Sequence, residues 1–457
     1  MANGRGMTLG ELTVGQRCMI ERVGNQRGEV KRRLVDMGLT PGTVVKLVKV
    51  APMGDPLEVS LRGYELSLRR ADASQIGVHI VDEATAQEEP STVSESAYHL
   101  GGRCHGECGR CAMTCGQRDT LETMRQAHLH EQRQHPKQYD AAEHDKHQWK
   151  VALVGNPNAG KTTLFNALTG SNQYVGNWPG VTVEKKEGIA HVGEQSFTLV
   201  DLPGIYSLSP YSMEEIVARK YILEGKPDAI INIVDATNLE RNLYLTMQLL
   251  ELERPTVMAL NFMDEVEKQG IVIDCDRLSA RLGIPVIPIS ARDNYNIAQL
   301  IEDAHRMMHT GLTLEPDDLY DDFTHVIHHR ITEMIHDRCY SVGLPAHWAS
   351  IKLLEGDERV AEALGLGDVT RQRIEQVAKE YETGNPLGDR ETMIADSRYR
   401  FIERAVRYAV QRPDRGGRQT MTERIDAVVT HKIFAIPVFF AMMLVMFLFT
   451  FSGPGKW

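Results

Sequence analysis

The chain has 457 residues, of which 42% are hydrophobic and 25% charged, and a formal charge of −11. That balance excludes a disordered chain and leaves room for several globular domains. The acidic excess excludes a general nucleic-acid binder, because phosphate backbones are held by surplus Lys and Arg, and Met1 to Glu11 lacks the apolar core of a secretory signal.

Residues 7–82 carry alternating apolar patterns at Val44–Val48 and Leu57–Leu61, with turn signals at Thr40-Pro41-Gly42 and Met53-Gly54-Asp55-Pro56. Short strands punctuated by Gly and Pro predict a small β-barrel. Gly28 to Met37 is a predicted helix ended by Gly38, and its Lys31-Arg32-Arg33 cluster reads as solvated surface charge. Cys18, Cys275 and Cys339 are isolated in sequence and read as packing residues.

Over residues 83–148 apolar periodicity dissolves into Glu, Gln, Ser and His, the composition of a linker. Cys104, Cys108, Cys111 and Cys115 stand within it, among His99, His105, His128, His130, His135, His144 and His147. Four thiolates so spaced can enclose Zn²⁺ or Fe²⁺, or ligate an iron–sulfur cluster. Redox sensing and incidental cysteines in an unstructured tract are the alternatives, since the spacing fits neither a zinc ribbon nor a ferredoxin run well.

Residues 149–312 alternate apolar strands (151–153, 196–200, 229–234, 257–260 and 286–289) with amphipathic helices. The pattern predicts an α/β domain on a parallel sheet, with its chemistry at the strand ends. After the first strand comes Gly155-Asn156-Pro157-Asn158-Ala159-Gly160-Lys161-Thr162, a phosphate-binding loop, and Thr163 opens the helix behind it. Backbone N–H groups of such a loop wrap a phosphate, the lysine reaches the β and γ phosphates, and the Thr162 hydroxyl faces Mg²⁺. Spacing alone reads Asn158 as a turn residue.

Asp201-Leu-Pro-Gly204 follows a strand 40 residues after Lys161. Its Asp should hold Mg²⁺ through water, and the Gly204 N–H can sense the γ phosphate. Asn261-Phe-Met-Asp264 ends another strand, where Asp264 can accept two hydrogen bonds that guanine supplies and adenine does not, and Asn261 would brace the loop. Phe262 replaces the lysine usual after that Asn, which predicts weaker affinity and faster exchange of GTP and GDP. Ser290-Ala291 supplies the last base loop, with the Ala291 N–H toward guanine O6. Ile205, directly after Gly204, cannot polarise water as a glutamine would, so slow intrinsic hydrolysis is expected and the water must be held from within 205–215.

Residues 313–410 turn helical and charged, with Val326, Ile327, Ile331, Met334 and Ile335 at helical spacing. A basic segment, 411–432, precedes a charge-free run at 433–451. The run predicts one transmembrane helix over 433–452, and the basic flank places residues 1–432 in the cytoplasm.

These motifs, with Val175-Gly-Asn-Trp-Pro-Gly-Val-Thr182, resemble the ferrous iron transport protein B (FeoB) family across 149–452, and the first 80 residues resemble FeoA, an SH3-like β-barrel, here fused in cis. The resemblance implies a Ras-like P-loop GTPase with a helical domain like a guanine-nucleotide-dissociation inhibitor, in the bacterial inner membrane. It implies Thr182 as the switch residue on Mg²⁺, and Asn158 as a K⁺ ligand with the carbonyls of Gly176 and Trp178. Lys161, Thr182, Gly204 and Asn158 would then be the catalytic set. The expected partners are ferrous iron, membrane lipid, a homo-oligomeric copy and the rest of a membrane domain, inside whose first helix the chain looks truncated. A metallochaperone or regulatory GTPase is the competing reading.

Overall fold

The computed structural model describes residues 7–24, 28–51, 53–81, 149–170, 173–192, 195–310, 319–383, 389–413 and 435–452. Contacts divide the chain into a unit of residues 1–82 and 150–457 and a second of 83–149, of which only Trp149 is described. The four-cysteine segment at 104–115 and most of the basic segment at 411–432 lie outside the described residues.

In the amino-terminal part, β1 (Arg17–Val23), β2 (Val44–Val50), β3 (Leu57–Leu61), β4 (Tyr64–Leu68) and β5 (Ile76–Ile80) form an antiparallel sheet in the order β4-β3-β2-β1-β5. The period-2 pattern is the cause: Leu57, Val59, Leu61, Tyr64, Leu66 and Leu68 are buried while their neighbours on β4 are exposed. Helix α1 (Glu29–Asp36) crosses between β1 and β2, and a four-residue helix, α2 (Arg70–Ala73), precedes β5.

The central sheet has seven strands in the order β13-β11-β10-β6-β9-β8-β7: β6 (Lys150–Gly155), β7 (Gln173–Asn177), β8 (Glu184–Val192), β9 (Gln195–Asp201), β10 (Ala229–Asp235), β11 (Thr256–Asn261) and β13 (Val286–Pro288). The five strands from β13 to β9 are parallel. They are the five predicted from apolar runs, as strands covered on both faces must be. β8 and β7 are added antiparallel at the edge. Their sequence, largely charged and polar, carries no such run, and the reading from residues alone missed them. Helices α3 (Lys161–Thr169), α4 (Met213–Glu224), α5 (Leu239–Leu250), α6 (Met263–Lys268), α7 (Cys275–Leu282) and α8 (Ile297–Thr310) complete this part, and a two-residue strand β12 (Val272–Ile273) pairs with β14 (Val410–Gln411).

The helical part holds α9 (Asp322–Val342), α10 (Ala346–Leu354), α11 (Glu358–Ala363), α12 (Asp368–Thr383) and α13 (Arg390–Ala409). Helix α13 packs against α1, α5 and α7. Here the sequence reading of Lys31 and Arg32 as solvated charge is corrected. Lys31 Nζ lies 2.9 Å from Asp389 and Arg32 Nε donates to Glu391 at 2.7 Å, so both pair with the start of α13. Tyr244 of α5 donates to the Asp36 carboxylate at 2.7 Å, Tyr399 of α13 donates to the Asp36 carbonyl at 2.6 Å, and the two rings stack with centroids 4.9 Å apart. Cys18 and Cys339 are buried free thiols, and Cys275 is a half-buried one.

The charge-free run forms α14 (Ala435–Ser452), 18 residues with exposed side chains such as Phe440 and Met446. The described residues give no support to the single transmembrane helix expected over 433–452. At 1.5 Å per residue, the 18 described residues extend roughly 27 Å. Among the described residues no helix is long and apolar enough to cross a membrane.

Candidate functional site

β6 feeds directly into the loop 155–162, and α3 begins at Lys161. Gly160 holds φ +93, and a Cβ on it would collide with Asn261 Nδ2, so this position needs glycine for both conformation and space. Asn158 adopts φ +65, a left-handed conformation that asparagine tolerates, and is exposed. Asn156 and Ala159 are buried, Pro157 and Lys161 are half-buried, and Thr162 and Thr163 are exposed at the start of the helix.

β9 ends on Asp201, beside Leu153 in register. The segment after it turns back onto the phosphate loop: Ile205 N–H donates to the Gly155 carbonyl at 3.2 Å, and a Cβ on Gly204 would stand 3.1 Å from Lys161 Nζ. Ile205 is itself buried, so neither its side chain nor its N–H can hold water, as the sequence predicts for the side chain. Farther along, Ser212 and Glu215 form a reciprocal cap at the start of α4; the Glu215 carboxylate accepts from the Tyr211 and Ser212 N–H groups.

Asp201 Oδ1 is buried without a hydrogen-bond partner. Burial pushes its carboxyl up to about 6, against the downward pull of the Lys161 ammonium. Burial lowers Lys161 in turn, partly offset by Asp201. An unsatisfied carboxylate oxygen beside a desolvated ammonium fits a site whose charge is completed by Mg²⁺ and phosphate.

A carboxyl raised from 3.8 to about 6 gives the fold stability that is fully present below 3.8 and lost as pH rises through about 6. Between pH 4.5 and 7.5 that loss is about 2 kcal/mol. Urea unfolding of the nucleotide-free chain should show it, and Asp201→Asn should remove it; parallel pH profiles for the two proteins would contradict the assignment.

On the base side, Asn261 ends β11. Its Nδ2 donates to the Ala159 carbonyl at 2.9 Å, and its Oδ1 accepts from the Ala291 N–H at 3.0 Å. Phe262 takes a left-handed φ of +64, with its ring edge 3.6 Å from the Cβ position of Gly160. Asp264, in the first turn of α6, pairs through Oδ2 with Arg292 and Lys268. Burial raises its carboxyl, but these two cations outweigh it and the net direction is downward. Arg292 was not singled out in the sequence, although it adjoins Ala291. Ser290 is buried and donates to Asp293 at 2.7 Å.

Gly176 lies in β7 opposite Lys185, and Trp178 N–H donates to the Val183 carbonyl at 2.9 Å. The Trp178 ring is buried edge-on to Tyr221, centroids 5.2 Å apart, and Thr182 is exposed. Among the described residues no hydrogen bond joins Asn158 to Gly176 or Trp178. The structure therefore assembles the phosphate loop, Asp201, Gly204 and the base loops, and the hairpin that carries 176–182 joins the sheet beside them, with Lys186 in register with Asp201.

Three family patterns match the chain: FeoA domain at residues 7–80, ferrous iron transport protein B at 149–304, and FeoB cytosolic helical domain at 320–411. A Fe(2+) transport protein A/Fe(2+) transporter FeoB fusion protein of Porphyromonas gingivalis is 34% identical over 454 residues, which cover 97% of this chain and 52% of that protein. A Fe(2+) transporter FeoB of Legionella pneumophila is 40% identical over 66% of this chain and 39% of its own length. The chain thus spans about half, or less, of the curated relatives it matches. A crystal structure of an S. thermophilus NFeoB mutant bound to GDP is 42% identical with a TM-score of 0.54, covering 58% of this chain and all of that one. The phosphate loop, the Asp201 turn and the braced base strand are those of a GTPase domain, and the chain belongs to the ferrous iron transport protein B family, with a FeoA domain ahead of its GTPase and cytosolic helical domains.

Proposed function

We propose that this chain is the cytoplasmic, GTP-hydrolysing portion of a Fe²⁺ transporter of the bacterial inner membrane. The observation that carries it is Asn261, whose one amide ties the phosphate loop at Ala159 to the guanine loop at Ala291. That bridge makes the two ends of a nucleotide site one preorganised surface. The family matches on all three domains favour the transport reading over a metallochaperone or a regulatory GTPase.

In this reading the backbone of 155–160 cradles the phosphates, Lys161 neutralises the β and γ oxygens, and Asp264 selects guanine. Thr162, Thr182 and Asp201 would hold Mg²⁺, which when bound offsets charge developing on the phosphates. Gly204, lying against Lys161, is placed to report whether the terminal phosphate is there. Asn158, with the carbonyls of Gly176 and Trp178, would hold K⁺.

GTP turnover in KCl and in NaCl, for the wild type and Asn158→Ala, tests the reading. The wild type should be faster in KCl, the variant should be slow and indifferent to the cation, and ATP should not compete in either salt. Equal rates in all four conditions remove K⁺; hydrolysis of ATP as fast as GTP removes the guanine assignment.

A further inference from the structure

The helical part contains a group of side chains that nucleotide chemistry does not use. His325, His328 and His329 lie at i, i+3 and i+4 on α9, which places them on one helix face. One ring nitrogen from each falls within 4.8 Å of the others. The Nε2 atoms of His325 and His329 are 3.3 Å apart. Two nitrogens bound at about 2.1 Å to one tetrahedral cation are separated by about 3.4 Å, so this pair is already at ligand spacing. The His347 ring, at the start of α10, closes the group from the facing helix, with its centroid 4.9 Å from that of His329.

We propose that His325, His328 and His329 bind a divalent transition-metal cation in the helical domain, at a site separate from the nucleotide. An imidazole–imidazole hydrogen bond between His325 and His329 would account for that pair alone. It does not account for His328, which is 1% exposed and whose Nε2 is buried with no hydrogen-bond partner. Leaving such a nitrogen unsatisfied is costly, and a cation satisfies it. Its other nitrogen, Nδ1, lies 3.4 Å from Ser350 Oγ, an outer contact of the kind that fixes the orientation of a ligating ring.

The donor set defines the class of ion. All three donors are imidazole nitrogens, which suit Zn²⁺, Fe²⁺, Ni²⁺ or Cu²⁺ and do not suit the oxygen-seeking Mg²⁺ or Ca²⁺. Three ligands leave a fourth position for water or for His347.

Co²⁺ is the probe, because its visible d–d absorption distinguishes a bound tetrahedral ion. The full chain should be titrated beside the double variant His325→Asn, His329→Asn, with GDP binding as the control for folding. Thiolate coordination at the cysteine segment is recognised separately by its near-ultraviolet charge-transfer band. The expected result is loss of one equivalent of Co²⁺ and of its nitrogen-type visible absorption, with GDP binding and the thiolate band unchanged. Identical stoichiometry and spectra in both proteins overturn the proposal. If the variant fails to bind GDP, amide exchange of the wild type decides: slower exchange in 322–354 with Co²⁺ than with EDTA supports the site, and no difference overturns it.

Discussion

Replacing Arg398 with alanine should lower the folding stability of the chain by about 3–5 kcal/mol, the range for breaking a buried ion pair from one side. The guanidinium is 1% exposed and reaches from α13 to two carboxylates: Nε and Nη2 donate to Glu251 at 2.7 and 3.0 Å, and Nη1 donates to Glu355 at 2.7 Å. Glu251 is 2% exposed and also accepts from the Tyr320 hydroxyl at 2.5 Å, so it cannot turn to water when its cation is gone. Glu355 keeps Lys352 at 2.7 Å. Glu251→Gln should therefore cost less than Arg398→Ala, because Arg398 retains Glu355.

The pH profile carries a second check. Burial alone would raise the Glu355 carboxyl, but Lys352 and then Arg398 bring it down to about 2 from 4.5. A depressed carboxyl contributes stability above 4.5 that is lost as pH falls through about 2. The deficit of Arg398→Ala should accordingly be largest at neutral pH and shrink on acidification below about 4.5. A denaturant midpoint within error of the wild type at pH 7 would show that the surroundings relax enough to solvate both carboxylates.

The second large effect is on chemistry. Lys161→Ala should reduce kcat/KM for GTP by roughly 10²–10³-fold, the scale for deleting one preorganised electrostatic contact to a developing charge. Lys161 is half-buried, with Asp201 as its anionic neighbour and Gly204 packed close to its ammonium. Its loss removes a positive charge that water cannot replace at the same position. Single-turnover hydrolysis measures it. Undiminished turnover would mean that the loop backbone alone stabilises the phosphates.

Much of this site was legible because its parts are short, contiguous and placed at strand ends. The apolar runs before Gly155, Asp201, Asn261 and Ser290 had to be buried parallel strands, and the loops at their ends had to converge. The bracing role of Asn261 is also readable from its place at the end of β11, from which its amide reaches Ala159 and Ala291. What was not legible is long-range. Lys31 and Asp389 are 358 residues apart, and nothing local tells a paired lysine from a solvated one. The edge strands β7 and β8 follow from backbone pairing rather than from apolar alternation, so their polar residues gave no signal. The histidines of α9 were hidden differently: the apolar residues Ile327, Ile331 and Ile335 interleave with them and dominate the helical pattern.

Helix α13 lies against α1 of the FeoA domain, α5 and α7 of the GTPase domain, and the charges of α10 through Arg398. None of these neighbours can melt without stripping α13 of contacts that the others need. Sequence places the parts in separate families, but their cooperativity is shared. Calorimetry should accordingly record one transition for the FeoA, GTPase and helical parts together, at one temperature that GDP raises for all three.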